Sequence, residues 1–441
     1  MSHEIGKILI QKRQYKNALK NFKKLLNNKP FDLRANFLVG KIYYDLNNLN
    51  KSIIYFEKCN KIQPNTPNIL FNLALTYQNM GKIEKAKQNY LSLITINPSD
   101  IKSYYGLFNL SIKNINSKFY DNLKSLVKQK NIPFFENILI NFIFSKLEKK
   151  KNNFKSEVDY LKLSHKQCYD ANIKFNSQSN FYYKNVISNQ FNKIKFEGNL
   201  ERKSDFNDNN HLFIIGLPRS GSSLVETIIA HNNQNIVTVG EFHGINTSIL
   251  DQISSTIYAK GFNFEEFQLT INNKKFQESL IEKYDNHEKK VYLDKSLENF
   301  FNIDIILNFF PKAKFIHTFR NLRDSVIGIY QTMLPELSWS HTIEEIYDYI
   351  HTYKKIIRYF KIKYPDRIID VDLQKLSNHR EIEARKILRF CNIDINKNFL
   401  DFNKNEKLFN KTNSFLQVRK KINIYEDKKY LQYYYLLNKK K

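Results

Sequence analysis

Residues 211–231 read HLFIIGLPRSGSSLVETIIAH, and the fold is decided there. Four apolar residues, Leu212 to Ile215, have the look of a short buried strand. Gly216-Leu217-Pro218-Arg219-Ser220-Gly221-Ser222-Ser223 follows as a tight turn, and Leu224, Ile228 and Ile229 then recur at helical spacing. Strand, glycine turn and helix start together form the geometry that seats phosphate on backbone N–H groups. Gly216 and Gly221 stand at the spacing of a nucleotide-triphosphate loop, with Ser223 in its hydroxyl position. The lysine of that pattern is missing: Ser222 occupies its place, and Arg219 is the loop's only cation. Pro218, Arg219, Ser220, Gly221, Ser222 and Ser223 are therefore candidate phosphate ligands.

Working outward toward the C-terminus, the chain presents further strand ends with charged residues. Asn235 to Val239 is β-prone and leads into Gly240-Glu241-Phe242-His243-Gly244. Lys290 to Leu293 leads into Asp294-Lys295-Ser296. Ala313 to Phe319 forms a third strand pattern with Arg320 at its exit, and a helix from Asp324 to Leu334 is expected next, with Arg323 and Ser325 at its start. Guanidinium forks suit phosphate oxygens, and open α/β sheets place their chemistry at the carboxyl ends of strands. Ile343 to Tyr364 and Arg380 to Phe390 read as helices around a strand at Ile368 to Leu373. The hydroxyls and cations of 410–421 resemble a flap for an anionic ligand. A magnesium-dependent kinase would require the loop lysine and a metal-holding aspartate at a strand end. The pattern instead favours phosphate recognition without a metal, with cations neutralising a leaving group and a carboxylate accepting the proton of an attacking hydroxyl.

Upstream, the sequence repeats. Ala18, Phe22 and Pro30 return as Ser52, Phe56 and Pro64, and again as Ala86, Tyr90 and Pro98, in steps of 34 residues. Small residues let paired helices approach, aromatics fill the gaps between pairs, and proline closes each unit. This resembles the tetratricopeptide repeat family over residues 2–112, with degenerate helical pairs expected to about 175. The polar, asparagine-rich stretch 176–208 reads as a connection, and 209–441 as a second domain.

Composition bounds the rest. An apolar fraction of 42% supports packed domains, and a net charge of +27 favours an anionic partner or substrate. The charge is dispersed through lysine- and asparagine-rich helices, so nucleic acid is disfavoured as a partner. Cys59, Cys168 and Cys391 lie far apart and make neither a disulfide framework nor a metal set. With no run of 18 apolar residues and no leader-like N-terminus, a transmembrane segment is not expected and cytoplasmic residence is.

Pro218-Arg219-Ser220-Gly221-Ser222-Ser223-Leu224, Gly240-Glu241, Asp294-Lys295 and Phe319-Arg320-Asn321-Leu322-Arg323-Asp324-Ser325, in this order, resemble the sulfotransferase family. The likeness is to its protein-tyrosine branch and to bacterial proteins in which tetratricopeptide repeats precede the sulfotransferase domain. The implied architecture is a multidomain chain: an all-α repeat solenoid (1–175), then a P-loop-like α/β domain with a central parallel sheet (209–441). The resemblance implies 3'-phosphoadenosine 5'-phosphosulfate as donor, with its phosphosulfate on residues 218–223 and its 3'-phosphate on Arg320. It further implies Glu241 as general base, Lys295 and Arg219 as cations at the sulfuryl group and leaving phosphate, and Ser414, Arg419 and Lys420 as the closing tail. The acceptor would be a hydroxyl on a protein, peptide or glycan recruited by the repeats. One departure concerns Gly328, which stands where the family usually has a serine for the 3'-phosphate, with Ser325 one turn earlier as a substitute. The competing readings are a catalytically inactive repeat scaffold with a nucleotide-binding domain and a P-loop kinase.

Overall fold

The computed structural model describes residues 3–11, 14–46, 48–111, 117–128, 133–200, 211–233, 235–241, 243–259, 262–263, 265–284, 291–404, 424–426 and 428–437, with backbone alone at 281–284 and 403–404. Two compact units emerge, one built on residues 1–151 and the other on 152–403 together with the C-terminal residues to 437.

The first unit is helical among its described residues. Its helices are α1 (His3–Gln11), α2 (Tyr15–Asn28), α3 (Leu33–Asp45), α4 (Leu49–Ile62), α5 (Pro67–Met80), α6 (Ile83–Ile96), α7 (Ile101–Leu110), α8 (Ser117–Val127) and α9 (Phe134–Lys150). The 34-residue period is visible in the backbone. Lys29, Gln63 and Asn97 end α2, α4 and α6 with φ of −133°, −138° and −136°, because the proline that follows each disfavours helical backbone at the preceding residue. The repeat aromatics Phe22, Phe56 and Tyr90 are wholly buried. Phe56 lies against Gly40 and Tyr90 against Gly106, where a Cβ would overlap the ring. Tyr90 thus lies between its two neighbours: its ring meets Gly106 of α7, and its hydroxyl donates to Gln78 of α5 at 3.1 Å.

Helix α10 (Phe154–Ala171) belongs to the second unit, so the break falls at Lys151/Asn152, upstream of the 175 read from helical periodicity. The reason is chemical: Glu157 of α10 accepts from Gln331 at 3.1 Å and from Tyr433, and His165 meets the Tyr330 carbonyl at 2.7 Å. The supposed connection is also helical, as α11 (Ile173–Phe181), a π turn at Tyr182–Ile187 and α12 (Ser188–Gln190). Two of its asparagines are internal: Asn176 donates to Tyr169 O at 2.9 Å, and Asn180 to Glu345 at 3.0 Å.

The strands, in chain order, are β1 (Lys195–Glu197), β2 (His211–Gly216), β3 (Ile236–Gly240), β4 (Thr270–Asn272), β5 (Val291–Asp294), β6 (Lys314–Phe319) and β7 (Ile368–Asp372). β1 and β4 form a small parallel pair absent from the sequence reading. The other five make one wholly parallel sheet in the order β3-β5-β2-β6-β7. All six residues of β2 are buried, as expected for the central strand of a parallel sheet covered on both faces. The intervening helices are α13 (Ser222–Asn232), α14 (Gly244–Ile257), α15 (Asn273–Tyr284), α16 (Ile303–Phe309), α17 (Leu322–Tyr330), α18 (Ile343–Lys363), α19 (Leu373–Asn378) and α20 (Arg380–Phe390). Helix α17 stops at Tyr330, four residues before the expected Leu334, and Gln331 turns its amide to Glu157.

The path of the chain explains where a ligand can enter. It leaves β2 for the edge strand β3, returns to β5, and then crosses β2 to reach β6. β2 lies between β5 and β6, from which the sheet is built outward in opposite directions, so it ends at a switch point, the usual crevice of open α/β sheets.

Candidate active site

The loop after β2 is shaped by backbone that ordinary residues avoid. Gly216 has φ of 144° and Gly221 of 91°, and a Cβ at either would run into Thr318 or Leu373. Arg219 adopts φ of 65°, a left-handed conformation uncommon for a non-glycine residue. Ser220 holds the turn closed: its hydroxyl donates to Leu217 O at 2.6 Å and lies 2.8 Å from the Thr318 hydroxyl. Gly221 then serves as the N-cap of α13, and no side chain caps that helix. The start of α13, with Ser222 and Ser223, adjoins the loop, the placement that a phosphate cradle requires.

Four consecutive strand ends carry the candidate residues in spatial order: Glu241 after β3, Lys295 after β5, the loop after β2 and Arg320 after β6. At ordinary strand spacing these ends span about 14 Å. On the β3/β5 flank, Lys295 donates from Nζ to Glu241 at 2.7 Å, and Glu226 of α13 lies 3.8 Å from the same ammonium. The lysine is 1% exposed, while about half of the Glu241 side chain faces solvent. Burial works against the Lys295 charge, but Glu226, Glu241 and Asp294 outweigh it and hold its pKa above the ordinary lysine value. Burial also raises the Glu226 carboxyl, which Lys295 only partly offsets. Asp294 accepts from Ser296 N at 2.7 Å, and Lys295 N donates to Gly240 O at 2.9 Å, so the two strand ends are stitched together. Next to them, the His243 ring bonds Glu298. Burial opposes its charge, but Glu298 chiefly, with Asp294 and Glu241, takes its pKa to about 9.

The β6 flank is cationic. Asn321 caps α17, accepting from Arg323 N at 2.9 Å, which fixes Arg320 at the helix entrance. The Arg320 guanidinium donates to Asp324 O, whereas its Nε is buried without a partner among the described residues. Gly328 makes room for it, since a Cβ there would overlap Nη2. The departure noted at this position is thus a packing requirement of the arginine. Ser325 donates to Asn321 O at 2.8 Å, so its proton is already engaged. Beside Arg320 and Ser325 opens a cavity of about 390 Å³, floored by Leu217, Ile350 and Ile357 and edged by Lys354 and Arg358.

The C-terminal residues come to this flank as well. Tyr425 and Tyr434 donate to the two oxygens of Asp324 at 2.5 and 2.9 Å, and Arg320 lies over the Tyr430 ring at 5.3 Å. Burial raises the Tyr430 phenol, but Arg320 foremost, then Lys429 and Arg219, brings its pKa below the ordinary tyrosine value. Burial lowers the Arg219 pKa, with Tyr430 opposing the effect. Glu241, Lys295, residues 218–223 and Arg320 therefore stand at adjacent strand ends, with Ser325 and Gly328 on the helix that Arg320 lies against. Ser414, Arg419 and Lys420 lie outside the described residues. Glu226 and Tyr430 went unremarked in the sequence; a lone acid inside the apolar stripe Val225, Ile228, Ile229 was the signal for the first, and the second had none.

Comparison with known proteins gives the following. Residues 211–397 match the sulfotransferase family, and residues 1–32, 33–66 and 55–88 match tetratricopeptide repeat families. An uncharacterized protein of Aquifex aeolicus (strain VF5) is 22% identical over 442 residues, covering 96% of this chain and 56% of its own. The chain thus spans about half the length of that curated relative. The sulfotransferase domain from the Synechococcus PCC 7002 olefin synthase aligns in structure with 18% identity and a TM-score of 0.33, covering 51% of this chain and 88% of that one.

Proposed function

We propose that this chain, in which tetratricopeptide repeats precede a sulfotransferase domain, transfers a sulfuryl group from 3'-phosphoadenosine 5'-phosphosulfate to an acceptor hydroxyl. The observation that carries the reading is the Lys295–Glu241 pair, a buried cation and a solvent-facing carboxylate 2.7 Å apart on the strand ends beside the phosphate loop. The donor's phosphosulfate sits on the loop and the first turn of α13, and Arg320 takes the 3'-phosphate. The orphaned Arg320 Nε and the uncapped start of α13 fit two separated anionic groups.

In the reaction, Glu241 accepts the proton of the acceptor hydroxyl as its oxygen attacks sulfur. The bond from sulfur to the bridging oxygen breaks in line, and the electron pair leaves with adenosine 3',5'-bisphosphate. Lys295 and Arg219 neutralise the charge that grows on that leaving phosphate. Because Lys295 begins on Glu241, its shift toward the leaving oxygen frees the carboxylate when donor arrives. The room Gly328 leaves for Arg320 supports a working nucleotide site over an inactive scaffold. The repeats recruit a protein, peptide or glycan acceptor.

Calorimetry without magnesium tests the donor site. Adenosine 3',5'-bisphosphate is expected to bind, and to bind more tightly than ATP or ADP. Preference for ATP, or no binding, sinks the reading.

A further inference from the structure

The rim of the β6 flank is completed by a segment far away in sequence. Residues 424–426 and 428–437 are pinned there through three tyrosines: Tyr425 and Tyr434 share Asp324, and Tyr433, 1% exposed, donates to Glu157 and packs on Phe154 at 5.5 Å. Tyr430 sits between these anchors, 8% exposed. Its hydroxyl lies 3.5 Å from the point where a Cβ on Gly328 would stand, and the charged groups acting on it are the cations Arg320, Lys429 and Arg219. Among the described residues it donates to no carboxylate or carbonyl, unlike Tyr425, Tyr433 and Tyr434, each of which has a carboxylate. Arg320 is its hydrogen-bond partner, so the phenol oxygen accepts from the guanidinium and keeps its own proton to donate, and the cations around it favour an anion as the acceptor.

We propose that Tyr430 is a binding residue for the phosphate held by Arg320: its phenol O–H donates to a phosphate oxygen and supplies, from the C-terminal segment, the hydroxyl that the Gly328 position lacks. This rests on the reading that Arg320 takes the donor's 3'-phosphate. Ser325 cannot serve as the donor while its proton goes to Asn321 O. Tyr430 also stacks beneath the guanidinium, so the arginine plane and the phenol O–H converge on one anion from two sides.

The full chain is titrated calorimetrically with adenosine 3',5'-bisphosphate and with adenosine 5'-phosphate. Wild type should prefer the bisphosphate. Tyr430→Phe, which keeps the ring, should lose about tenfold in affinity for the bisphosphate and nothing for the monophosphate. Tyr434→Phe, which removes one of the two hydroxyls on Asp324, should leave the ratio of the two affinities where wild type has it. Unchanged or tighter bisphosphate binding by Tyr430→Phe overturns the proposal, the tighter case marking the phenol as a plug. An equal loss of both nucleotides overturns it too, since that is the mark of a structural role. If wild type itself fails to distinguish the two nucleotides, the assignment of Arg320 falls first and the proposal with it, a failure legible before any variant is made.

Discussion

The two flanks of the phosphate loop start from the same element, a parallel strand ending at an open rim, and carry opposite electrostatics. On the β3/β5 side the cations at the strand ends are matched among the described residues: Lys295 by Glu241 and Glu226, His243 by Glu298. On the β6 side Arg320 and Arg219 face each other and a phenol, with no ion pair to Arg320 among the described residues. A balanced cluster can pass a proton and let one ammonium change partner at little cost. An unbalanced one holds its arginines in readiness for an anion. The same architecture thus separates chemistry from donor recognition by where the carboxylates are placed.

The sharpest way to break this division is Glu241→Gln. It removes the proton acceptor and keeps the shape, so the transfer rate should fall by about 10²–10⁴-fold while affinity for adenosine 3',5'-bisphosphate stays at the wild-type value. Rates within tenfold of wild type would remove Glu241 from the role of base, and a parallel loss of nucleotide affinity would erase the separation between the flanks.

Next in size is a stability contrast. Lys295→Met leaves Glu226, 8% exposed, without its counter-charge, and breaking such a buried pair costs about 3–5 kcal/mol. Adding Glu226→Gln should recover much of that loss in denaturant unfolding. Arg320→Met, with no carboxylate to strand, should destabilise less while abolishing the preference for the bisphosphate. Equal destabilisation by the two single variants would contradict the electrostatic contrast.

What could be read beforehand divides along the same line. Glu241, Lys295 and Arg320 each follow a β-prone run directly, so local pattern was enough to place them at strand ends, and the helix Arg380–Phe390 has the bounds its periodicity indicated. The repeats were legible because proline, small residue and aromatic recur at one period. Contacts of long sequence separation were not. Nothing near Tyr430 indicates Arg320, 110 residues earlier, because tyrosine is frequent in this chain and its tail has no apolar period of its own. The end of α17 departs from the apolar pattern for a related reason: Met333 and Leu334 continue that pattern, but Gln331 satisfies Glu157 of a helix 174 residues away. Polar burial of this kind also concealed the helix at 173–181, whose asparagines read as linker.

The smallest effect concerns His243, which tests whether the balance of the β3/β5 flank extends to its edge. Its folded pKa, about 9, is above its ordinary 6.5, so the fold binds the proton more tightly than the unfolded chain does. The stabilisation from protonated His243 on Glu298 is therefore complete below pH 6.5 and disappears as pH rises through about 9. Nearly half of the imidazole is exposed, which limits the pair to the exposed range of about 1 kcal/mol or less. His243→Asn suits the left-handed backbone at φ of 54° and carries no charge, so its thermal midpoint should lie below wild type at pH 6 and converge with it near pH 10. A constant gap across that range would mean that the ring contributes by shape, and that the balanced flank ends at Lys295.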